Sequence, residues 1–243
     1  MFLLDSSYFK VQEFPMKGRG VIARKKISPG TIIGDYLGII IPIDKDDESH
    51  GLYSMWYGTK ALIFPDRHTP GIHFMNYSCM PNCGMYPYKD HMLFASIRTI
   101  FPGEELTVCY YLLPEKSDTE VHICSCGTPL CRGTMYVSQS KFDAFERVEK
   151  KMRGDYFYHQ TTPIGKQLLP FPDYPKDIAD VPIHDLCGSL TEKSLEFSDK
   201  TLPSPSQMRA YIRESGKRIT FTNFGFTVIG VVDSQYIITP LSK

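Results

Sequence analysis

Four short stretches hold side chains whose types and spacing could do chemistry. Cys124-Ser-Cys126-Gly-Thr-Pro-Leu-Cys131 places three thiols within eight residues of a Gly- and Pro-containing loop. Thiolates so crowded suit a metal ion, and a structural zinc takes four ligands in a tetrahedron, so a fourth must come from elsewhere in the chain. Free thiols or a redox pair are the alternative. Asn76-Tyr-Ser-Cys-Met-Pro-Asn82 is a loop, because Pro81 lacks an N–H and restrains Met80 to extended geometry. Gly103-Glu-Glu-Leu-Thr-Val-Cys-Tyr110 follows the turn at Phe101-Pro-Gly103 and reads as a strand ending on Tyr110, a phenol able to donate and accept hydrogen bonds. Lys17-Gly-Arg-Gly20 is either a simple turn or a place where main chain without Cβ atoms approaches a ligand.

The elements that must position these groups are short. Residues 1–15 read as a leading strand or ordered lead-in, and Val21-Ile-Ala23 as a strand. Ser28-Pro-Gly30 is a turn before one long β run, Thr31 to Ile41. The charged Asp44-Lys-Asp-Asp-Glu48 reads as a solvated loop, residues 52–64 as strand, and Pro65 to Gly71 as a turn-rich connector. Met92 to Ile97 is a further apolar run. A helix is expected over Lys141 to Arg153, capped by Ser138 or Ser140, with Phe142, Phe145, Val148 and Met152 near one face and Gly154 as its stop. Residues 155–207 are rich in proline and carry no assignable motif. Two or three strands around Asp233-Ser234 close the chain.

Taken together, the Asn76 loop, the Gly103 to Tyr110 strand, the Gly-x-Gly turn and the cysteine segment resemble the SET-domain protein lysine methyltransferases over roughly residues 11–137. Tyr36-Leu-Gly38 matches a recurring tyrosine and glycine of that family. The resemblance implies a mainly β fold of short sheets with a knot-like threading of the Asn76 loop and the Tyr110 strand, a post-SET zinc loop and an α+β C-terminal appendage. The corresponding divisions are residues 1–111, 112–137 and 138–243. It implies S-adenosylmethionine as methyl donor and S-adenosylhomocysteine as product, bound by Lys17, Gly18, Arg19, Gly20, Asn76, Tyr77 and Arg132. One structural zinc would sit on Cys79, Cys124, Cys126 and Cys131, while Cys83, Cys109 and Cys187 read as small buried side chains.

By the same resemblance Tyr110 is the catalytic residue, hydrogen-bonding a substrate lysine amine for in-line attack on a sulfonium methyl. An ammonium of reference pKa about 10.4 is not a nucleophile, and an apolar aromatic channel disfavours its charge. Tyr36, Tyr53, Tyr57 and Val108 are candidates for that channel, and Val108, lacking a ring and hydroxyl, implies a product not confined to monomethyl-lysine. Three positions depart from the family pattern: Tyr77 for His, His73 for Arg and Cys109 for Asp. They leave open a catalytically weak, zinc-containing interaction module. The substrate implied is a lysine-containing protein, a histone H3 tail foremost, or a non-histone protein.

Composition bounds these readings. The chain has 243 residues, enough for one large or two small domains, and 27 basic residues balance 27 acidic ones. No electrostatic footprint for nucleic-acid binding is visible. An N-terminus without a basic region and the lack of an apolar run of about 18 residues argue against a signal peptide or a membrane span. Seven cysteines, an odd count, suit a reducing compartment. The expectation is a soluble intracellular protein, in the nucleus at chromatin or in the cytoplasm.

Overall fold

A computed structural model describes residues 1–15, 17–43, 53–58, 60–79, 81–97, 99–114, 122–127, 131–154 and 161–175, and the backbone of 219–221, 226–232 and 235–240. The Asp44 to Glu48 loop, Cys187, the Asp233-Ser234 turn and most of 155–207 lie outside the described residues.

Short strands in small sheets dominate. β1 (Phe9–Phe14) and β2 (Gly18–Ala23) form a hairpin whose turn precedes Gly18. The long β run expected over Thr31 to Ile41 is instead two strands, β3 (Ile32–Asp35) and β4 (Ile39–Pro42), in different sheets. The break falls at Gly38, where a Cβ would meet the Phe64 carbonyl oxygen at 2.2 Å, so the backbone bends against its neighbour at a position only glycine fits. β5 (Met55–Tyr57) and β6 (Ala61–Phe64) are an antiparallel pair beside β4. β7 (Asn76–Tyr77), β8 (Cys83–Tyr88), β9 (His91–Ser96) and β10 (Glu105–Val108) follow. The sheets are ordered β1-β2-β10-β7, β3-β9-β8 and β4-β6-β5.

The strand expected to end on Tyr110 ends at Val108, because its partner β7 is only two residues long and the last ladder bond is Ser78 N–H to the Val108 carbonyl, 3.0 Å. Tyr111 then turns the chain with φ +54°.

β10 is the centre of the molecule. It runs antiparallel to β2 on one side and parallel to β7 on the other. The loop that leaves β7 returns through Asn82, which is buried and acts as a false strand: its Nδ2 donates to the Glu105 carbonyl at 2.9 Å and its Oδ1 accepts from Thr107 N–H at 2.9 Å. Both ends of segment 76–82 are therefore fastened to the same strand, which is the form the knot-like threading takes. Pro81 just before Asn82 has no N–H to satisfy.

The core contains Ile33, Ile63, Phe74, Leu93 and Leu106, each essentially inaccessible and each worth about 1.5–3 kcal/mol by burial. α1 (Gln139–Arg153) is capped by Ser138, whose hydroxyl accepts from Lys141 N–H, and stops at Gly154 with φ +53°. Phe145 of α1 stacks on Tyr111 at 4.1 Å, and the Arg153 guanidinium donates to the Lys89 carbonyl at 2.8 Å.

Residues 161–175 lie along the β4 edge: Gly165 N–H donates to the Ile40 carbonyl (2.7 Å), Ile40 N–H to the Lys166 carbonyl (2.9 Å) and Leu168 N–H to the Gly38 carbonyl (2.8 Å). That pairing covers an edge that would otherwise be a template for aggregation. Near the chain end, β11 (Ile219–Phe221), β12 (Phe226–Val232) and β13 (Gln235–Pro240) form an antiparallel sheet of their own.

Candidate active site and zinc centre

Tyr110 lies just past the end of β10. Its hydroxyl donates to the Met75 carbonyl at 3.0 Å and receives the Tyr77 N–H, so both neighbours come from the segment threaded beside the strand. The residue is 37% exposed, yet desolvation of its hydroxyl pushes the pKa upward, with the nearby Tyr53 and Glu105 reinforcing the shift. The phenol therefore stays protonated at any physiological pH and works as a fixed hydrogen-bonding group rather than as a base.

Three more tyrosines were candidates for a channel. Tyr36 is buried, its pKa is raised chiefly by burial, then by Tyr110 and Tyr53, and its hydroxyl donates to the Tyr53 carbonyl. Tyr53 is held at φ +80°, an uncommon conformation for a bulky residue, and its ring meets those of His73 and Phe74 edge-on at 5.5 Å. The structure thus brings Tyr36 and Tyr53 to Tyr110. It does not bring the Tyr57 hydroxyl there: that group donates to Asp90 at 3.2 Å and accepts from Thr162 N–H at 3.3 Å. Val108 is buried and pairs with Tyr77 across β10 and β7.

The Gly-x-Gly stretch opens β2, where it faces Asn76. The Asn76 amide donates to the Arg19 carbonyl at 3.2 Å and to Glu105 Oε1 at 2.8 Å, while Lys17 Nζ pairs with Glu105 Oε2 at 3.1 Å. Gly20 is required by this packing: a Cβ would lie 2.6 Å from Phe14, 2.8 Å from the Asn76 amide and 2.9 Å from the Glu105 carboxylate. Gly18, at φ +69°, has open space beside it. The Arg19 guanidinium rests on the Phe74 ring, 3.9 Å from its centroid, and donates to the Arg67 carbonyl at 3.1 Å. Glu105 was not singled out from the sequence, although it is the second acid of the Gly-Glu-Glu-Leu stretch. Its partners, Lys17 and Asn76, are 88 and 29 residues away.

The four cysteines meet. The Sγ atoms of Cys79, Cys124, Cys126 and Cys131 all lie within 4.8 Å of one another, and those of Cys79 and Cys124 are 3.7 Å apart. A tetrahedron with Zn–S bonds of about 2.3 Å has edges of about 3.8 Å, so the donor set and its spacing fit zinc. Backbone N–H groups already point at the sulfurs, from Arg132 to Cys79 and from Cys126 to Cys124, each at 3.4 Å, as thiolates require. Cys83 and Cys109 are buried and outside the cluster.

One further contact links this cluster to the site. Arg132 Nη2 donates to the Tyr77 hydroxyl at 2.5 Å, and the Tyr77 ring meets the Tyr110 ring edge-on at 5.5 Å.

Residues 18–111 match the family model of the SET domain. The chain is 30% identical over 154 residues to histone-lysine N-methyltransferase ash1 of Drosophila melanogaster, spanning 57% of this chain and 7% of that protein. It is 29% identical over 127 residues to histone-lysine N-methyltransferase 2B of Homo sapiens, spanning 47% of this chain and 5% of that one. The chain thus covers less than a tenth of either relative. Among solved structures, KRYPTONITE in complex with mCHG DNA and SAH is similar with a TM-score of 0.46 and 22% identity, over 53% of this chain and 29% of that one. The threaded β10, the glycine turn against Asn76 and the tyrosine after the strand all lie in the matched span, and residues 18–111 are similar to the SET-domain family.

Proposed function

We propose that the chain is an S-adenosylmethionine-dependent protein-lysine N-methyltransferase that acts on a histone tail, H3 in particular. The observation that carries the reading is the Tyr110 hydroxyl, fixed by the Met75 carbonyl and the Tyr77 N–H at the point where the Asn76 loop and β10 are bound together.

The residues around the Gly18–Gly20 turn suit the methyl donor. Gly18 leaves free space at the main chain, Asn76 and Glu105 present polar groups, and the Arg19 and Phe74 stack offers a flat surface. When bound there, the donor supplies a methyl carbon already activated by a positive sulfur. The protein's part is alignment and exclusion of water. Tyr36, Tyr53 and Tyr110 would surround the incoming lysine, and their rings disfavour the ammonium relative to the neutral amine. Tyr110 would accept a hydrogen bond from that amine and aim its lone pair. Its own proton stays in place because burial raises its pKa. The four cysteines would hold one zinc that keeps the post-SET loop against Tyr77. Relatives named as histone-lysine methyltransferases support a nuclear, chromatin-bound setting. Among the described residues no helix is long and apolar enough to cross a membrane.

The test is transfer of a labelled methyl from S-adenosylmethionine to core histones and to a cell extract by the native protein and by Tyr110→Phe. Label on H3, lost by at least a hundredfold in the variant, is the expected result. Label confined to a non-histone band would change the substrate. No transfer by a folded, zinc-loaded native chain would overturn the reading in favour of an interaction module.

A further inference from the structure

We infer that Arg132 and Tyr77 form a relay by which the cysteine loop sets the position of Tyr110. The inference rests on the transferase reading for its kinetic consequence but not for its structural one.

Tyr77 stands where the family carries a histidine, and its hydroxyl is buried within the protein. A buried hydroxyl needs a partner. The partner is the Arg132 guanidinium at 2.5 Å, with the Cys79 sulfur farther off at 3.8 Å. Arg132 is itself fixed from the other side, since its backbone N–H donates to Cys79 Sγ at 3.4 Å. One residue thus ties a thiol of the cluster to the tip of Tyr77. Tyr77 acts on Tyr110 twice: its ring packs edge-on against the Tyr110 ring at 5.5 Å, and its N–H binds the Tyr110 hydroxyl. Its backbone is meanwhile pinned to Val108 through β7 and β10. With the backbone fixed, the remaining freedom of Tyr77 is rotation of its side chain, and the Arg132 bond removes it. The guanidinium is therefore engaged with Tyr77 through Nη2 and is assigned as a positioning group.

The experiment labels the chain with 3-fluorotyrosine and follows the fluorine resonances of Tyr77 and Tyr110, each assigned by its disappearance in Tyr77→Phe or Tyr110→Phe. Zinc content is measured on every sample. In Arg132→Ala both resonances are expected to shift or broaden while zinc stays at the native ratio. A Tyr110 resonance unmoved in Arg132→Ala, or moved only as zinc is lost, overturns the relay. This arm needs no turnover, so it stands or falls separately from the transferase reading. Where the native protein transfers methyl groups, Arg132→Ala and Tyr77→Phe should each lower kcat about fivefold with little change in the KM for peptide, and the double variant should be no worse than either alone. Losses that multiply, or that fall on KM with kcat intact, overturn it equally.

Discussion

His91 and His73 are both buried, at 3% and 8% exposure, yet their surroundings are opposite. His91, opening β9, has a carboxylate at each ring nitrogen: Nδ1 is 2.7 Å from Asp35 Oδ2, and Nε2 is 3.7 Å from Asp90 Oδ1. The Phe171 ring covers it at 3.8 Å, and the Tyr174 hydroxyl donates to Asp35 at 2.7 Å. Asp90 also receives the hydroxyls of Tyr57 and Thr161. His73, just before the Asn76 loop, packs against the rings of Tyr53 and Phe74 with the Met1 ammonium and the Arg19 guanidinium nearby, and its Nε2 finds no hydrogen-bond partner among the described residues. The polar cluster at His91, together with the backbone bonds to β4, fastens residues 161–175 to the rest of the fold. The setting of His73 keeps that ring neutral beside the candidate site.

This contrast gives an order of effects. The largest is expected from Asp35→Ala, which strips His91 and Tyr174 of a shared, fully buried partner. Breaking a buried pair by removing one side costs about 3–5 kcal/mol, read as a shift in the urea midpoint. A change below about 1 kcal/mol would mean the cluster is not what holds the segment.

Next comes acid sensitivity at His73. Burial, then the nearby Met1 ammonium and the Arg19 guanidinium, push its pKa down to about 4. That lies below the unfolded value of about 6.5, so the unfolded chain takes up the proton first. The stabilisation is complete above pH 6.5 and is lost as pH falls toward 4, in total on the order of 3 kcal/mol. Unfolding measured at pH 7 and pH 5, for the native protein and His73→Gln, should show a pH slope in the former that is reduced in the latter. Equal slopes would remove His73 as its source.

The smallest effect is expected from Tyr174→Phe. It deletes one hydrogen bond to the Asp35 carboxylate and leaves the His91 contact, for about 1–2 kcal/mol. Cleavage within 161–175 by a protease should quicken by more than the global loss of stability explains. Unchanged cleavage would place the anchor at Phe171 and the β4 edge alone.

What could be read from the chain was local or rested on spacing. Ser138 and Gly154 bracket α1, because caps are decided by one residue's side chain or backbone freedom. Cys124, Cys126 and Cys131 announced a metal loop by crowding, and the Asn76 and Gly103 stretches pointed to the SET domain by resemblance to the motifs of that family. Gly38 was noted but not as a break, since the obstacle there is the Phe64 carbonyl on another strand. Glu105 could be seen as one acid among many; its bonds to Lys17 and Asn76 exist only once β2, β7 and β10 are side by side. The same holds for Asp35 with Tyr174, 139 residues apart, and for the pairing of 165–168 with β4. Residue types and short spacings thus determined which chemistry the chain carries. Which polar groups close on each other, and which tyrosines face Tyr110, was decided by tertiary structure, because burial leaves each such group only the partners that packing brings within about 3 Å.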